Sequence, residues 1–430
     1  MGVFIMSEYS EMSREELMKI KEDLDRQYNQ FKSRGLKLDM SRGKPGKEQL
    51  DLSLDMLGIL KDDDYRDATG MDCRNYGGLD GLPELKQIFA EILDIEPDEL
   101  IIGGNSSLAL MFDSVASNTT HGVRGGTPWA MQGKIKFLCP SPGYDRHFSI
   151  CEYMHIDMIP VKMTPTGPDM DEVERLVASD KMIKGIWCVP KYSNPDGITY
   201  SDETVYRMAN LKPAADDFRI YWDNAYCIHH INGKTDKIPN ILRECEKAGN
   251  PNMPMIFTSF SKVSFPGSAV SCIASSKDNI KYIKERFSVQ TIGPDKLNQL
   301  RHIRFFKNTQ GVYDHMNKHA AIIRPKFEAV INALEGKLSG KGVAHWMNPT
   351  GGYFVSVYVM NGCAKRVVQL CKEAGVVLTG AGATYPYGKD PDDSNIRLAP
   401  TYPSTDELKT AMELFCLAVQ IAAIEKLLNK

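Results

Sequence analysis

A lysine near the middle of the chain stands among hydroxyl side chains in a way that suits cofactor chemistry. Lys262 follows Ser259 and Ser261, directly behind the apolar stretch 253–257. A lysine amine at the end of a strand can form a Schiff base with an aldehyde, while neighbouring hydroxyls hold a phosphate on the same molecule. Most lysines are solvated surface charges. This segment therefore indicates a cofactor site only if other segments of the chain place suitable side chains near Lys262.

Two further segments combine small or flat side chains with the predicted ends of a strand or helix. Asn105, Ser106 and Ser107 open an apolar helical run, where free N–H groups and the positive end of the helix dipole favour a phosphate. Tyr144 follows the predicted strand 135–139, where it could stack on a flat ring. Taken singly, the two segments are more typical of an ordinary helix N-cap and of a turn aromatic.

Polar residues also follow two more predicted strands. Asn194 lies in a turn after the predicted strand 185–189, and Asp223 directly follows the predicted strand 219–222. An acid at the end of a buried strand is costly unless it is paired, so Asp223 needs a cation, for which a protonated pyridine nitrogen would serve. In open α/β sheets, ligands bind beyond the carboxyl ends of the strands, which is where these segments are expected to meet.

The elements that must position these residues follow a clear order along the chain. Ser13 begins a capping box, which predicts a helix that ends near Gly35. From about residue 65 to residue 305, helical segments alternate with short apolar strands, the last at 255–257, which predicts a mainly parallel sheet covered by helices. A long helical stretch, a strand signal at 353–359 and terminal helices then predict a smaller α+β domain.

Composition and patterning exclude several classes of protein. Lys and Arg number 52 against 55 Asp and Glu, so a nucleic-acid partner held mainly by phosphate contacts is not expected. The ten cysteines lie far apart, as is typical of a reduced, cytosolic protein. The N-terminus lacks the basic region of a signal peptide, and the apolar stretch 411–428 carries charged residues. We therefore predict a cytoplasmic protein without a membrane segment.

One histidine pair could in principle share a metal ion. His315 and His319 are four residues apart, but no third ligand stands near them at a suitable spacing. We interpret both as structural or surface histidines and predict no metal site.

Taken together, these segments resemble the fold-type I pyridoxal-phosphate (PLP) aminotransferases, in order and approximate spacing, over nearly the whole chain. The likeness is closest to aspartate aminotransferase subgroup Ic, through the segments 36–45, 142–147 and 291–296. It implies an α/β fold with a large domain, built on a mainly parallel seven-stranded sheet, and a smaller α+β domain. The implied division is an N-terminal arm and helix at 1–60, a PLP-binding domain at 61–308 and a small domain at 309–430.

The resemblance also implies roles for the residues at the strand ends. Lys262 would form the Schiff base with PLP, and Asp223 would hold the pyridine nitrogen protonated. Tyr226 and Asn194 would hydrogen-bond the phenolic oxygen of the ring, and Tyr144 would stack on its face. The implied phosphate and loop contacts come from Asn105, Ser106, Ser107, Ser259 and Ser261.

Further implied residues concern the partner subunit and the substrate. Tyr76 would reach the phosphate of the neighbouring subunit in a homodimer with shared active sites. Arg397 would clamp the α-carboxylate of the substrate, with Asn194, Gly43 and Arg42 beside it. A second carboxylate would need another cation, for which the candidates are Arg42, Lys44 and Lys296. The segment 266–271 departs from most aminotransferases, because it lacks the arginine that pairs with the phosphate.

The implied reaction is transamination, in which an amino group moves from L-aspartate, or a similar amino acid, to 2-oxoglutarate by a ping-pong mechanism. Freed Lys262 would carry the proton between the substrate Cα and the cofactor. Alternatives are a PLP-dependent carbon–sulfur β-lyase and a transaminase for another amino acid. A ligand-sensing module of a transcription regulator is disfavoured, because the first ~40 residues hold one convincing helix and no helix-turn-helix unit.

Overall fold

The computed structural model describes residues 8–233 and 235–429, which form thirteen α-helices and thirteen strands. The strands are β1 (Leu38–Asp39), β2 (Leu100–Ile102), β3 (Lys136–Ser141), β4 (Asp157–Thr164), β5 (Gly167–Pro168), β6 (Ile183–Cys188), β7 (Arg219–Asp223), β8 (Pro254–Ser259), β9 (Ser271–Ala274), β10 (Ala344–Trp346), β11 (Val355–Val359), β12 (Val376–Val377) and β13 (Asn395–Leu398). The helices are α1 (Arg14–Ser33), α2 (Lys47–Asp51), α3 (Pro83–Leu93), α4 (Ser107–His121), α5 (Asp145–Tyr153), α6 (Met170–Ser179), α7 (Asp202–Ala209), α8 (Ile241–Lys247), α9 (Lys277–Gln290), α10 (Lys296–Phe306), α11 (Thr309–Leu338), α12 (Ala364–Glu373) and α13 (Thr405–Leu428).

The main sheet confirms the predicted α/β class. Its strand order is β2-β9-β8-β7-β6-β3-β4-β5. The neighbours from β8 to β4 all run parallel, while β9 is antiparallel to both β8 and β2. Seven of the strands correspond to the expected seven-stranded sheet. The eighth, β5, is a two-residue strand that pairs antiparallel with the edge strand β4.

The predicted strands are in the correct places, but several of them are longer in the structure than predicted. The predicted strand 135–139 corresponds to β3 at Lys136–Ser141, and the predicted strand 255–257 corresponds to β8 at Pro254–Ser259. Backbone pairing continues past the last apolar side chain, so polar residues such as Ser259 are still in the strand. The capping box at Ser13 is present, and α1 ends at Ser33, two residues before Gly35.

Two hydrophobic cores organise the chain. The first packs against the two faces of the main sheet. The second gathers α1, α12 and α13 with the antiparallel sheet β10-β11-β13 and the parallel pair β1-β12. Helix α11 joins them, since Val312 and Met316 belong to the first core and Ile323 and Phe327 to the second.

The predicted domain boundaries at 60/61 and 308/309 stay a prediction. Residues 1–7 of the predicted N-terminal arm and residue 430 of the predicted small domain lie outside the described residues. Among the helices that the structure describes, none has the length and apolar character needed to cross a membrane.

Candidate active site

A cavity of about 690 Å³ lies at the carboxyl ends of β3, β6, β7 and β8. The second core closes it with β13 and with the loop that contains Gly43. The sequence-predicted residues that line this cavity are Arg42, Gly43, Asn105, Ser106, Ser107, Tyr144, Asn194, Asp223, Tyr226, Ser259, Ser261, Lys262 and Arg397. Lys44, a candidate for a second carboxylate, also lines it, whereas Tyr76 and Lys296 do not.

Lys262 lies three residues beyond the end of β8, where it is half-buried at the cavity. Its Nζ is 4.9 Å from the centroid of the Tyr226 ring. Burial lowers the pKa of the Lys262 ammonium, and the negative charge of Asp223 opposes that shift. A lysine amine with a lowered pKa is more easily obtained in its neutral form, which is the form that attacks a carbonyl.

Asp223 ends β7 and has one carboxylate oxygen without a protein partner. Its Oδ2 is 3.0 Å from Nε2 of His147, and both side chains are buried. The other oxygen, Oδ1, is buried and has no hydrogen bond to any residue in the described part of the chain. Since a buried polar atom is costly without a partner, Oδ1 marks a position where a ligand donor fits.

His147 was not singled out from the sequence, although it stands in the segment 142–147 that carried part of the resemblance. It lies in the first turn of α5, and its ring stacks on Trp187 with centroids 4.4 Å apart. This stacking fixes the ring plane that faces Asp223. The one sequence signal for it is its spacing of three residues from Tyr144, which puts both residues at the start of α5.

Two phenols border the space between Asp223 and Lys262. Burial raises the pKa of Tyr144 and of Tyr226 well above the usual range, and the charge of Asp223 adds to both effects. Both side chains therefore remain neutral and can donate their hydroxyl hydrogens to a ligand oxygen.

The start of α4 and the end of β8 form a small polar loop cluster. Ser106 is the N-cap of α4, but its side chain makes no capping hydrogen bond, so the first N–H groups of the helix have no side-chain cap. The hydroxyl of Ser259 donates to that of Ser261 at 2.9 Å, and Ser261 donates to the carbonyl of Asn105 at 3.2 Å. These contacts hold hydroxyls and helix N–H groups on one side of the cavity, an arrangement that suits a phosphate.

Arg397 reaches the cavity from β13 and is 6% exposed. Its Nη1 donates to Oδ1 of Asn194 at 3.1 Å and to Oδ1 of Asp145 at 3.0 Å. Its Nε has no partner among the described residues, and the guanidinium lies 4.8 Å from the centroid of the Phe354 ring. The fork of Arg397 thus has donor capacity left for a carboxylate in the cavity.

Gly43 has a steric reason to be glycine. A Cβ built on it would lie 2.4 Å from Cζ of Phe354, the ring that also supports Arg397. A larger residue would displace this ring.

Three exposed cations lie at the cavity, namely Arg42, Lys44 and Arg146. Arg146 was not among the candidates named from the sequence, although it lies in the segment 142–147. Lys296, the third candidate named from the sequence, does not line the cavity of its own chain. It is buried away from the cavity lining, and its Nζ donates to the carbonyl of Gly77 at 2.7 Å.

Tyr76 is 79% exposed and precedes the Gly77 carbonyl that Lys296 holds. An aromatic ring this exposed on one chain is accessible to a partner.

His315 and His319 are buried, so they are structural histidines and not surface histidines. Their Nε2 atoms are 3.1 Å apart, and Nε2 of His315 is 2.9 Å from the carbonyl of Val263. Nδ1 of His319 is 3.1 Å from Nε2 of Gln49. The pair thus supports the backbone directly after Lys262.

Curated relatives cover nearly the whole chain. A protein of Mycolicibacterium smegmatis described as a putative aminotransferase is 47% identical over 424 residues, which are 98% of this chain and 99% of the relative. The aspartate aminotransferase of Corynebacterium glutamicum is 43% identical over 409 residues, which are 95% of this chain and 94% of the relative.

Solved structures agree with this. The crystal structure of an aspartate transaminase from Corynebacterium glutamicum matches with a TM-score of 0.96 and 42% identity, over 98% of this chain and 100% of that one. A more distant likeness, which shows the fold alone, is to an α-aminoadipate aminotransferase from Thermus thermophilus in complex with N-(5'-phosphopyridoxyl)-L-leucine. It has a TM-score of 0.73 and 18% identity, and it covers 91% of this chain and 93% of that one.

The family model for aspartate amino-transferase matches residues 12–430. This match includes every residue described above as lining the cavity. The chain belongs to the aspartate aminotransferase family.

Proposed function

We propose that this protein is a PLP-dependent aminotransferase that moves an amino group from L-aspartate, or a similar amino acid, to 2-oxoglutarate by a ping-pong mechanism. The observation that carries the proposal is the presence of a lysine and a buried carboxylate at one cavity. Lys262 offers an amine with a lowered pKa, and Asp223 offers an unpartnered carboxylate oxygen.

The residues at the cavity fit PLP. Asp223 Oδ1 lacks a donor, which the protonated ring nitrogen of the cofactor would supply. Ser106, Ser107 and Ser259 with the N–H groups of α4 would hold its phosphate, and Tyr144 would cover its ring. The segment 266–271 brings no arginine, so hydroxyls and helix N–H groups carry more of the phosphate binding here than in most aminotransferases.

The bound cofactor supplies an electron-accepting ring that acidifies the Cα–H of an amino acid joined to it. The protein then needs a base near Cα, and the Nζ of Lys262 is the group that takes and returns this proton. His147 fixes Asp223 through Oδ2, which leaves Oδ1 free to accept from the ring nitrogen of a bound cofactor. Tyr226 and Asn194 would hold the ring oxygen, since a neutral phenol and an amide can donate to it.

Arg397 would orient the substrate by its α-carboxylate. Asn194 already contacts Nη1 of this arginine, so one amide would connect the carboxylate clamp with the ring. A dicarboxylate substrate would place its second carboxylate toward one of the three exposed cations, Arg42, Lys44 or Arg146. The choice of L-aspartate is supported by the relative of that description at 43% identity.

We also propose a homodimer in which Tyr76 of one chain reaches the phosphate site of the other. Its exposure of 79% supports this, as does the anchoring of the next residue by Lys296. We retain the division into 1–60, 61–308 and 309–430, with the cavity between the large and small domains. A cytoplasmic location is supported by the ten cysteines, all of which are free.

The reaction is tested by following the visible band of the bound cofactor through the two half-reactions. L-Aspartate should bleach this band and release oxaloacetate, and 2-oxoglutarate should restore it with formation of glutamate. With an S-substituted L-cysteine as substrate, release of a thiol, pyruvate and ammonia without a new amino acid would indicate a β-lyase. A band that stays unchanged with L-aspartate but bleaches with another amino acid would contradict the proposed donor and keep the transaminase.

A further inference from the structure

A second cavity, of about 570 Å³, shares a wall with the first. The chain segment 222–228 separates the two. Asp223, Ala225 and Tyr226 line the first cavity, whereas Trp222, Asn224, Cys227 and Ile228 line the second. The second cavity therefore lies directly behind the residues proposed to hold the ring of the cofactor.

A buried lysine in the wall of the second cavity has only part of its charge compensated. Lys191 is 6% exposed, and its Nζ donates to the carbonyl of Cys227 at 3.0 Å. This Nζ lies 5.5 Å from the centroid of the Tyr192 ring, and among the described residues it forms no salt bridge. Burial lowers the pKa of the Lys191 ammonium. An ammonium has three N–H donors, so two remain for a ligand, and an anion would offset the cost of burial.

An acid near the same lysine can accept a second ligand group. Oδ2 of Asp236 accepts hydrogen bonds from the hydroxyls of Thr199 and Thr350, each at 2.9 Å. A carboxylate offers about four acceptor positions, so these two bonds leave room for another donor. The negative charge of Asp236 partly opposes the lowering of the pKa of Lys191 by burial.

The remaining wall is mixed, with an apolar part beside polar residues that include Asp94, His230 and Lys237. The apolar side chains that line it are Ile92, Leu93, Trp222, Ile228, Ile238, Ile241, Ile256 and Met316. A ligand that fits this cavity thus combines an anionic group, a cationic donor and a hydrophobic body.

We propose that the second cavity binds a free α-amino acid with an apolar side chain. Its carboxylate lies on Lys191, its ammonium group lies toward Asp236, and its side chain packs on the isoleucines. This site is separate from the substrate site at Arg397. Because Asn224 and Tyr226 stand in the shared wall, a ligand in the second cavity would lie directly behind the proposed cofactor site.

The test is equilibrium dialysis of the full-length holoenzyme with radiolabelled L-leucine. Lys191→Gln removes the cation, and Ile92→Trp fills the cavity from its partly exposed end, with Ile92→Val as the matched control that leaves it open. Arg397→Ala removes the proposed substrate clamp in the first cavity. We expect at least a ~10-fold weaker affinity in Lys191→Gln and in Ile92→Trp, with affinity retained in Ile92→Val and Arg397→Ala.

Three results would overturn the proposal. One is the failure of the wild-type protein to bind L-leucine. Another is binding that survives both Lys191→Gln and Ile92→Trp. The third is binding that is lost in Arg397→Ala and retained in the other variants, because the amino acid then occupies the first cavity. If Lys191→Gln does not fold, the comparison of L-leucine binding between Ile92→Trp and Ile92→Val tests the proposal alone.

Discussion

At the scale of single residues, the candidate site brings a lysine and an aspartate to one cavity without a salt bridge between them. Lys262 and Asp223 both line the cavity, and the charge of Asp223 opposes the lowering of the Lys262 pKa by burial. No salt bridge joins the two among the described residues, since Asp223 instead contacts Nε2 of His147 through its Oδ2. A buried charge that keeps an open hydrogen-bonding position is costly for stability and is typical of a functional site.

The variant Arg397→Lys tests whether Arg397 binds the α-carboxylate of the substrate. Arg397→Lys keeps a positive charge but loses the planar fork, and the Phe354 ring then supports a flexible ammonium. We expect kcat/KM for the amino donor to fall by about 10²-fold, mainly through KM, since one bidentate charge-assisted contact is lost. The measurement is steady-state kinetics with L-aspartate.

A matched control for Arg397→Lys is Arg146→Lys, at an exposed arginine of the same cavity. It should change kcat/KM for L-alanine little, because L-alanine has no second carboxylate. Equal losses in the two variants with L-alanine would contradict the role of Arg397.

At the scale of elements, the sequence predicted the central strands because their apolar runs are short and are bounded by polar residues. β3, β6, β7 and β8 were all found in this way, and the residues after them were expected at one edge of the sheet. β4 was not predicted, since its residues alternate between buried and half-exposed, and its proline interrupts the pattern. The antiparallel direction of β9 depends on tertiary pairing, which no local pattern encodes.

The candidate site was predicted more completely than the elements around it. Its residues follow the ends of strands, so a prediction of the fold already places them at one edge of the sheet. His147 and Arg146 were missed because a histidine and an arginine in the first turn of a helix look like surface residues in the sequence. Their roles come from the stacking on Trp187 and from the cavity lining, both of which are tertiary.

Asp196 connects the turn after β6 with β11 and should make stability depend on pH. Burial raises the pKa of this carboxyl to about 6, and its Oδ1 accepts a hydrogen bond from the hydroxyl of Tyr358 at 2.8 Å. The unfolded chain has the usual value of 3.8, so between the two values the folded state binds more protons. Stability therefore falls as the pH rises from about 4 to about 6, by an upper limit on the order of 3 kcal/mol.

The variant Asp196→Asn isolates this effect, because it is neutral at every pH. We expect its Tm to improve relative to that of the wild type as the pH rises from 5 to 8. The measurement is thermal unfolding of both proteins over that pH range. A Tm difference that does not change with pH would show that Asp196 does not titrate in this way.

At the scale of the whole molecule, the proposed dimer should make Tyr76 functional although it is exposed on one chain. Tyr76→Phe should weaken PLP binding by about 10-fold, as expected for the loss of a hydrogen bond to a charged group. Equilibrium dialysis of the apoenzyme with PLP measures this. Exposed Tyr153, which contacts Phe112 on the surface, provides Tyr153→Phe as the matched control.

Mixed dimers separate a shared site from a local one. In a heterodimer of Lys262→Ala with Tyr76→Ala chains, one site receives both defects and the other receives neither. Activity recovered on mixing two impaired variants would support sharing across the interface. Mixed dimers, verified by mass, that show no recovery would contradict it.

Everything proposed for the cavity depends on Lys262 as the residue that binds the cofactor covalently. This is measured by reduction of the purified, PLP-loaded protein with borohydride, followed by proteolysis and mass spectrometry. We expect one phosphopyridoxyl group per chain, on the peptide that contains Lys262, and its absence from Lys262→Ala. The group on a different lysine, or no stable attachment in the folded wild-type protein, would rule out this role of Lys262.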